Sequence, residues 1–307
     1  MRITLRQIEI FAAIARTENV SRAAEQLSMS QSAASSALVE LERQFDCPLF
    51  DRIGKSLHLN GTGRALLPQA ENMLARAADI EGFLSGSTLG PLAVGATLTI
   101  GNYLATLVVA EYLQRHPAAK IGLQVANTHS IVDRLVRYDL DIGLIEGEAN
   151  HPDLVLEPWI DDALVVFCAP HHPLAASREA DVASLGNEKW IVRERGSGTR
   201  ELFDRAIARP LGQAHIRLEL EHTEAIKRAV ESGIGIGCLS RLSLREAFRR
   251  GSLIEIRTPQ FDLRRHFYFA RHRQRSINPA MQVFLDLCRE FSGTAGDTDA
   301  LHLPFIQ

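Results

Sequence analysis

Only four of the 307 residues are cysteine, and no two of them stand in a CxxC spacing. Cys47, Cys168, Cys238 and Cys288 are far apart. That excludes a disulfide framework and a thiolate zinc site, and reads as reduced, mostly buried thiols in a cytoplasmic protein. The eleven histidines form no HxxxH pair, and His171-His172 precedes Pro173 in an expected loop. No apolar run is long enough to span a bilayer, and no signal-peptide pattern is present, so no membrane partner is expected. Repeats and low-complexity tracts are missing. So are a nucleophile–base pair, a metal-ligand set and a complete GxGxxG fingerprint. Gly233, Gly235 and Gly237 lie in a helix-to-strand turn, the wrong direction for a phosphate loop. An excess of positive charge is also lacking: 34 Lys and Arg face 37 Asp and Glu, for a net charge of −3. Residues 1–61 hold seven of each sign. Any contact with nucleic acid must therefore rest on where charge is placed, not on its total.

What is present is an ordinary globular composition, 46% hydrophobic and 23% charged, in a chain long enough for two or three domains. The most informative stretch is Ser21 to Glu42. It predicts two short helices joined by a tight turn. Ser21 is the expected N-cap of the first, whose apolar face is Ala23, Ala24 and Leu27. Ser30 caps the second, whose apolar set is Ala33, Ala34, Ala37, Leu38 and Leu41. The opposite face of that second helix shows Gln31, Ser32, Ser35 and Ser36. Short, neutral hydrogen-bonding side chains are unusual on a solvated helix face. They suit a helix laid in the DNA major groove, where base edges ask for donors and acceptors at close range. A helical hairpin that only packs into a larger core is the bland alternative.

The flanks favour the first reading. Thr4 to Arg16 is an amphipathic helix with a Thr4/Gln7 capping box, and gives the helix pair a third wall. After Pro48, the alternating runs Phe50 to Ile53 and Leu57 to Leu59 flank Gly54-Lys55 and predict a β-hairpin, a wing beside the helix-turn-helix. Arg52 and Lys55 on that wing are candidate phosphate contacts, with Lys55 able to reach the minor groove. Thr62 is the expected cap of a long helix to about Ser85, roughly 33 Å at 1.5 Å per residue. Its stripe of Leu66, Ala70, Leu74, Ala77, Ala78 and Phe83 has no nearby cover in sequence. An antiparallel copy from a second chain would supply one.

From Pro91 onward strands and helices alternate. Strands are expected at 91–96, 121–125 and 141–145, with helices opening at Gly101 and Ser130. The pattern restarts at 159–163, with strands at 164–169, 190–192, 216–220, 236–239, 253–256 and 266–270. The alternation predicts parallel sheet with helices on its faces, in two α/β lobes with a cleft between them. Such clefts bind anions at helix N-termini, where unpartnered N–H groups and the helix dipole favour negative charge. Thr97 to Asn102, with Thr97, Thr99, Gly101 and Asn102, is one candidate. Arg195, Ser197, Gly198 and Thr199 form another, with Arg200 adding charge, and Asn127 with Thr128 a third. Glu146 ends a strand pointing at the same cleft, and Glu224 opens a helix of lobe two. A carboxylate facing an anion site is costly unless a proton is shared or an Arg is adjacent. Glu146 is therefore expected to select an effector with a hydrogen-bond donor or to shut the empty site by pairing with an Arg, and to make binding pH-dependent between pH 5 and 8.

The chain resembles the LysR-type transcriptional regulators over about residues 3–290. The segment LRQIEIFAAIARTENVSRAAEQLSMSQSAASSALVELERQFDCPLFDR carries the resemblance nearly position by position, and GSGTRE with EAIKRAVESGIGIGCLSR carries it more loosely. The pattern is closest to the YeiE-like subgroup. The resemblance implies an N-terminal winged helix-turn-helix at 1–61, a linker and dimerisation helix at 62–88, and a two-lobed periplasmic-binding-protein-like effector domain. Lobe one would be 89–163 with 266–292, lobe two 164–265, and 293–307 a loosely held tail. It also implies a homodimer or homotetramer on double-stranded promoter DNA, with RNA polymerase as a further partner. No cofactor is expected. A small anionic effector is, a sulfur oxyanion or a small carboxylate. The family often has Arg where this chain has Ser36, which alters one expected DNA contact. The rival reading is a cytoplasmic small-molecule-binding protein or enzyme that uses the α/β cleft.

Overall fold

A computed structural model describes residues 2–53, 56–84, 89–147, 149–212, 214–293 and 295–301. Lys55 at the expected wing tip lies outside the described residues. Helix α1 (Leu5–Thr17) opens on the capping box: the Thr4 hydroxyl accepts from the Gln7 N–H, and the Gln7 side chain accepts from the Thr4 N–H at 2.9 Å. Helix α2 (Val20–Gln26) is capped by Asn19, not Ser21. The Asn19 side chain accepts from the Arg22 N–H at 3.1 Å, so the helix starts before the serine. Helix α3 (Gln31–Phe45) is capped by Ser30. Phe11, Ile14, Ala23, Ala24, Ala34, Leu38 and Leu41 close a shared core. Ala33 is exposed rather than part of it.

Strands β1 (Phe50–Ile53) and β2 (Ser56–Leu59) pair antiparallel as a hairpin. Phe50 sits edge-on against Phe11, ring centres 5.9 Å apart, which fixes the hairpin to the helical core. Helix α4 (Gly61–Leu84) starts one residue before the expected cap. Asn60, not Thr62, accepts from the Gly63 N–H at 2.9 Å, and this places Thr62 inside the first turn. Leu67 and Ala70 face the winged-helix core, while Ile80 and Leu84 stay exposed.

In the second part, β3 (Leu92–Thr97) lies parallel between β4 (Ile121–Ala126) and β5 (Ile142–Glu146). The sheet is mixed, not wholly parallel. Strand β11 (Arg264–His272) runs antiparallel to both β5 and β6 (Leu154–Cys168), because the chain re-enters lobe one from the far side of the cleft. The sequence places one strand at 164–169 after a restart at 159–163, but β6 begins ten residues earlier, at Leu154, and is shared by both lobes. Its Leu154–Ala163 pairs with β11, and its Leu164–Phe167 pairs with β9 (Ile236–Ser240). Strand β7 (Lys189–Arg193) lies parallel to β9 and to β8 (His215–Leu220), and β10 (Ile254–Ile256) flanks β6.

The helix after β3 opens at Leu98 rather than Gly101. It passes through a wide π turn at Gly101–Ala105 and continues as Thr106–Arg115. The expected loose tail is in fact packed over 295–301: Thr298 is buried and Leu301 joins the lobe-one core. Among the described residues no helix is long and apolar enough to cross a membrane, and no cluster of three His, Cys, Asp or Glu could hold a metal.

Candidate effector cleft and nucleic-acid face

The expected effector site lies at the ends of the strands, where β3 and β5 finish and β11 begins, and the two lobes are in direct contact there. Glu146, last in β5, is 1% exposed and fully committed. One carboxylate oxygen accepts from the Thr99 N–H at 2.7 Å, in the first turn of the helix after β3. The other accepts from the Thr199 hydroxyl at 2.9 Å and from Arg265 Nη1 at 2.9 Å. Thr199 belongs to lobe two, so the carboxylate ties the lobes together. It also occupies a helix N-terminus, the place expected for an external anion.

Burial alone would raise the pKa of Glu146, but the Arg265 and Arg193 charges and the Thr99 and Thr199 hydrogen bonds outweigh it and hold it down to about 2. Glu146 is therefore ionised throughout pH 5–8, and the pH dependence expected of it there is not supported. Arg265 is equally buried. Its Nε donates to Asp162 at 2.8 Å, and its Nη2 is buried without a hydrogen-bond partner. Asp162 also accepts from the hydroxyls of Ser240 and Thr298, each at 2.8 Å.

The other sequence candidates divide. Gly198 meets lobe one directly: its N–H donates to the Thr128 hydroxyl at 3.1 Å, and a Cβ built on it would lie 2.1 Å from the Glu146 carbonyl oxygen. Ser197 is buried beside it and makes no side-chain cap to the helix that follows. Thr97 instead donates to the Leu144 carbonyl at 3.4 Å, inside lobe one. Gly101 faces Val125, because a Cβ there would come within 2.7 Å of that side chain, so its role is helix-on-strand packing. Asn102 is exposed. Asn127 is spent as the cap of the helix Thr128–Val136. Arg195 is exposed, and Arg200 is held by Asp204, Glu219 and the Arg193 carbonyl. Glu224 sits at the rim, where it accepts from Tyr103 of lobe one at 2.9 Å and pairs with Lys227 at 2.5 Å.

Sequence reasoning missed Arg265 and Asp162. A signal was available in the sequence: Leu263, Arg265, Phe267 and Phe269 fall at every second position, so Arg265 is a charge in an otherwise apolar alternation.

At the amino-terminal end, Gln31, Ser32 and Ser36 are exposed on α3, Ser35 is half-buried and Arg52 is exposed on β1. Gln31, Ser35 and Arg52 line one groove of about 720 Å³ between α3 and the hairpin. Glu18 and Glu42 also line it, but both carboxylates are tied to backbone N–H groups: Glu18 to Leu59 at 2.9 Å and Glu42 to Leu49 at 2.7 Å.

A winged helix-turn-helix joined by a long helix to two α/β lobes defines a ligand-responsive DNA-binding regulator rather than an enzyme. The chain belongs to the LysR family. The model for the bacterial regulatory helix-turn-helix protein of the lysR family matches residues 5–64, and the LysR substrate binding domain matches residues 85–293. Among its relatives is the uncharacterized HTH-type transcriptional regulator YeiE of Escherichia coli K12, 40% identical over 94% of this chain and 98% of that one. A full-length OxyR variant from Pseudomonas aeruginosa shares the fold with a TM-score of 0.69 at 22% identity, over 94% of this chain and 95% of that one. The regulatory domain of Synechocystis CcmR in complex with 2-PG aligns with a TM-score of 0.60 at 29% identity, over 67% of this chain and 98% of that domain.

Proposed function

We propose that this regulator responds to a small anion bound between the lobes, a sulfur oxyanion or a small carboxylate, and signals it to promoter DNA as a homodimer or homotetramer that RNA polymerase meets there. The observation that carries the effector reading is Arg265, a buried guanidinium whose Nη2 has no partner in the cleft. A buried cation with an open donor favours an anion, and the Thr99, Ser197 and Thr199 hydroxyls add neutral donors around it. The approach of Gly198 to Glu146 favours a small ligand over an extended one. Glu146 serves as the internal anion that keeps the site shut, and an effector competes with it for Arg265. The CcmR domain, whose ligand is 2-PG, supports the anion class.

A route to the DNA-binding part follows from β11. The strand begins at Arg264, with Arg265 next to it at the effector site, and ends at His272. Just beyond it, the Gln274 carbonyl and the Ser276 N–H bond to the Asn72 side chain on α4, at 2.7 and 3.1 Å. A shift of β11 on ligand binding thus reaches the linker helix, whose exposed Ile80 and Leu84 suit an antiparallel second copy. A differential affinity between the two lobe geometries of about 1–3 kcal/mol is enough to move the recognition helices between half-sites.

A thermal-shift screen with sulfite, sulfate, phosphate and small carboxylates tests the effector class, because a ligand of the native state raises its melting temperature. Arg265→Met should abolish any shift. Gel shifts test the other end. Gln31→Ala should cost about 1–3 kcal/mol and relax base preference, whereas Arg52→Ala and Lys55→Ala should weaken all sequences alike. Sequence-selective loss on changing Lys55 would reverse the assignment of groove and wing.

A further inference from the structure

The packed carboxy-terminal segment reaches the cleft arginine. Gly296 accepts from the Asp161 N–H at 3.2 Å, on the strand shared by the two lobes. The Thr298 hydroxyl donates to Asp162 Oδ1, and Asp162 Oδ2 accepts from Arg265 Nε, each at 2.8 Å. Thr298 is 1% exposed, and the Asp162 side chain is fully buried. The segment also grips lobe two. Arg245, on the helix Arg241–Arg250, donates to the Leu301 carbonyl at 2.8 Å and to the Thr298 carbonyl, while Arg241 pairs with Asp299 at 3.2 Å. Leu301 packs among lobe-one residues. Residues 296–301 thus touch both lobes: Gly296 and Leu301 meet lobe one, while Arg241 and Arg245 of lobe two hold residues 298–301.

From this geometry we infer that Thr298 is a positioning residue for the effector site: it fixes Asp162, and through Asp162 the guanidinium of Arg265. This rests on the reading of Arg265 as the anion anchor. A buried carboxylate needs its lone pairs satisfied in order to hold a fixed orientation. Asp162 Oδ1 has two hydroxyl donors, Ser240 from lobe two and Thr298 from the strap. With Thr298 removed, Asp162 Oδ1 keeps only the Ser240 hydroxyl of lobe two, so the carboxylate that holds Arg265 Nε can turn with that lobe, and Arg265 loses its register toward Glu146 and Thr199.

The test compares full-length Thr298→Val and Thr298→Ser with the wild type. Calorimetry with sulfite, sulfate, phosphate and acetate measures anion affinity. Amide hydrogen exchange of the ligand-free protein reads residues 144–147 and 264–267. Loss of one hydrogen bond to a charged group predicts roughly tenfold weaker anion binding for the valine variant. Exchange at both segments should quicken, while the serine variant restores affinity and protection together. A merely structural role would lower the melting temperature of the valine variant without a selective change at those segments. Wild-type affinity and protection in Thr298→Val, or failure of serine to restore them, overturns the inference. If the wild type binds none of the four anions, the effector reading fails, and the exchange comparison decides the positioning role alone.

Discussion

Glu146 holds a charge where burial alone would forbid one. It does so with four partners: a backbone N–H, a hydroxyl and two guanidinium charges. Its pKa near 2 lies below the ordinary value of 4.5, so the folded state holds this proton less tightly than the unfolded chain. The stability it contributes is fully present above about pH 4.5 and is lost as the pH falls toward 2. That difference corresponds to about 3 kcal/mol at neutral pH. Glu146→Gln should therefore lower the unfolding free energy by about that amount at pH 7, measured by urea denaturation, and the gap should shrink below about pH 4.5 and close only below about pH 2. A gap that stays constant across that range would show that Glu146 does not ionise as described. The carboxylate itself was legible in the sequence, because it ends an apolar strand. Its partner Arg265 was not: it lies 119 positions away, and only folding brings the two together.

Helix starts show what periodicity can and cannot resolve. Apolar spacing placed α2 and α4 correctly in the chain, yet both caps fall two residues earlier than expected, at Asn19 and Asn60. Each stretch offers two residues of good capping chemistry, and only backbone dihedrals decide which stands at the boundary. The distinction can be measured on α4. The Asn60 side chain caps the Gly63 N–H and also donates to the Pro48 carbonyl at 2.9 Å, which joins the linker helix to the winged-helix core. Asn60→Ala should cost about 1 kcal/mol or somewhat more of unfolding free energy, whereas Thr62→Ala should change it by only a few tenths. The reverse order in chemical denaturation would return the cap to Thr62. The sheets follow the same logic. Alternation marked nearly every strand, but the antiparallel return of β11 and the continuity of β6 through both lobes depend on pairing between distant segments.

At the scale of the whole molecule, one of the places where the lobes meet is built from backbone without side chains. The Gly198 N–H donates to Thr128, and the Gly196 carbonyl accepts from the His129 N–H at 3.1 Å, so lobe two rests its backbone on lobe one. A Cβ at residue 198 would come 2.1 Å from the Glu146 carbonyl and 3.2 Å from the Thr128 hydroxyl. The first obstacle is backbone: that carbonyl belongs to β5, between β3 and β11, and cannot step aside without distorting the sheet. Gly198→Ala must therefore move the lobes apart, by about an ångström or more to reach ordinary contact distance. The added methyl enters neither core, because the atoms it meets are the Glu146 carbonyl and the Thr128 hydroxyl at the seam between the lobes. Melting should stay cooperative, while the Thr199–Glu146 bond is lost and the closed geometry is depopulated. A ligand shifts an equilibrium only by its differential affinity for the two states. With the Glu146-locked state removed, an anion no longer has to displace that carboxylate, so anion binding should tighten by about tenfold, and the DNA footprint should no longer respond to anion. The footprint should match the one geometry still accessible, whether that is the activating or the silent one. Gly198→Ala protein whose footprint still changes with anion at wild-type concentrations would mean that lobe closure is not the switch.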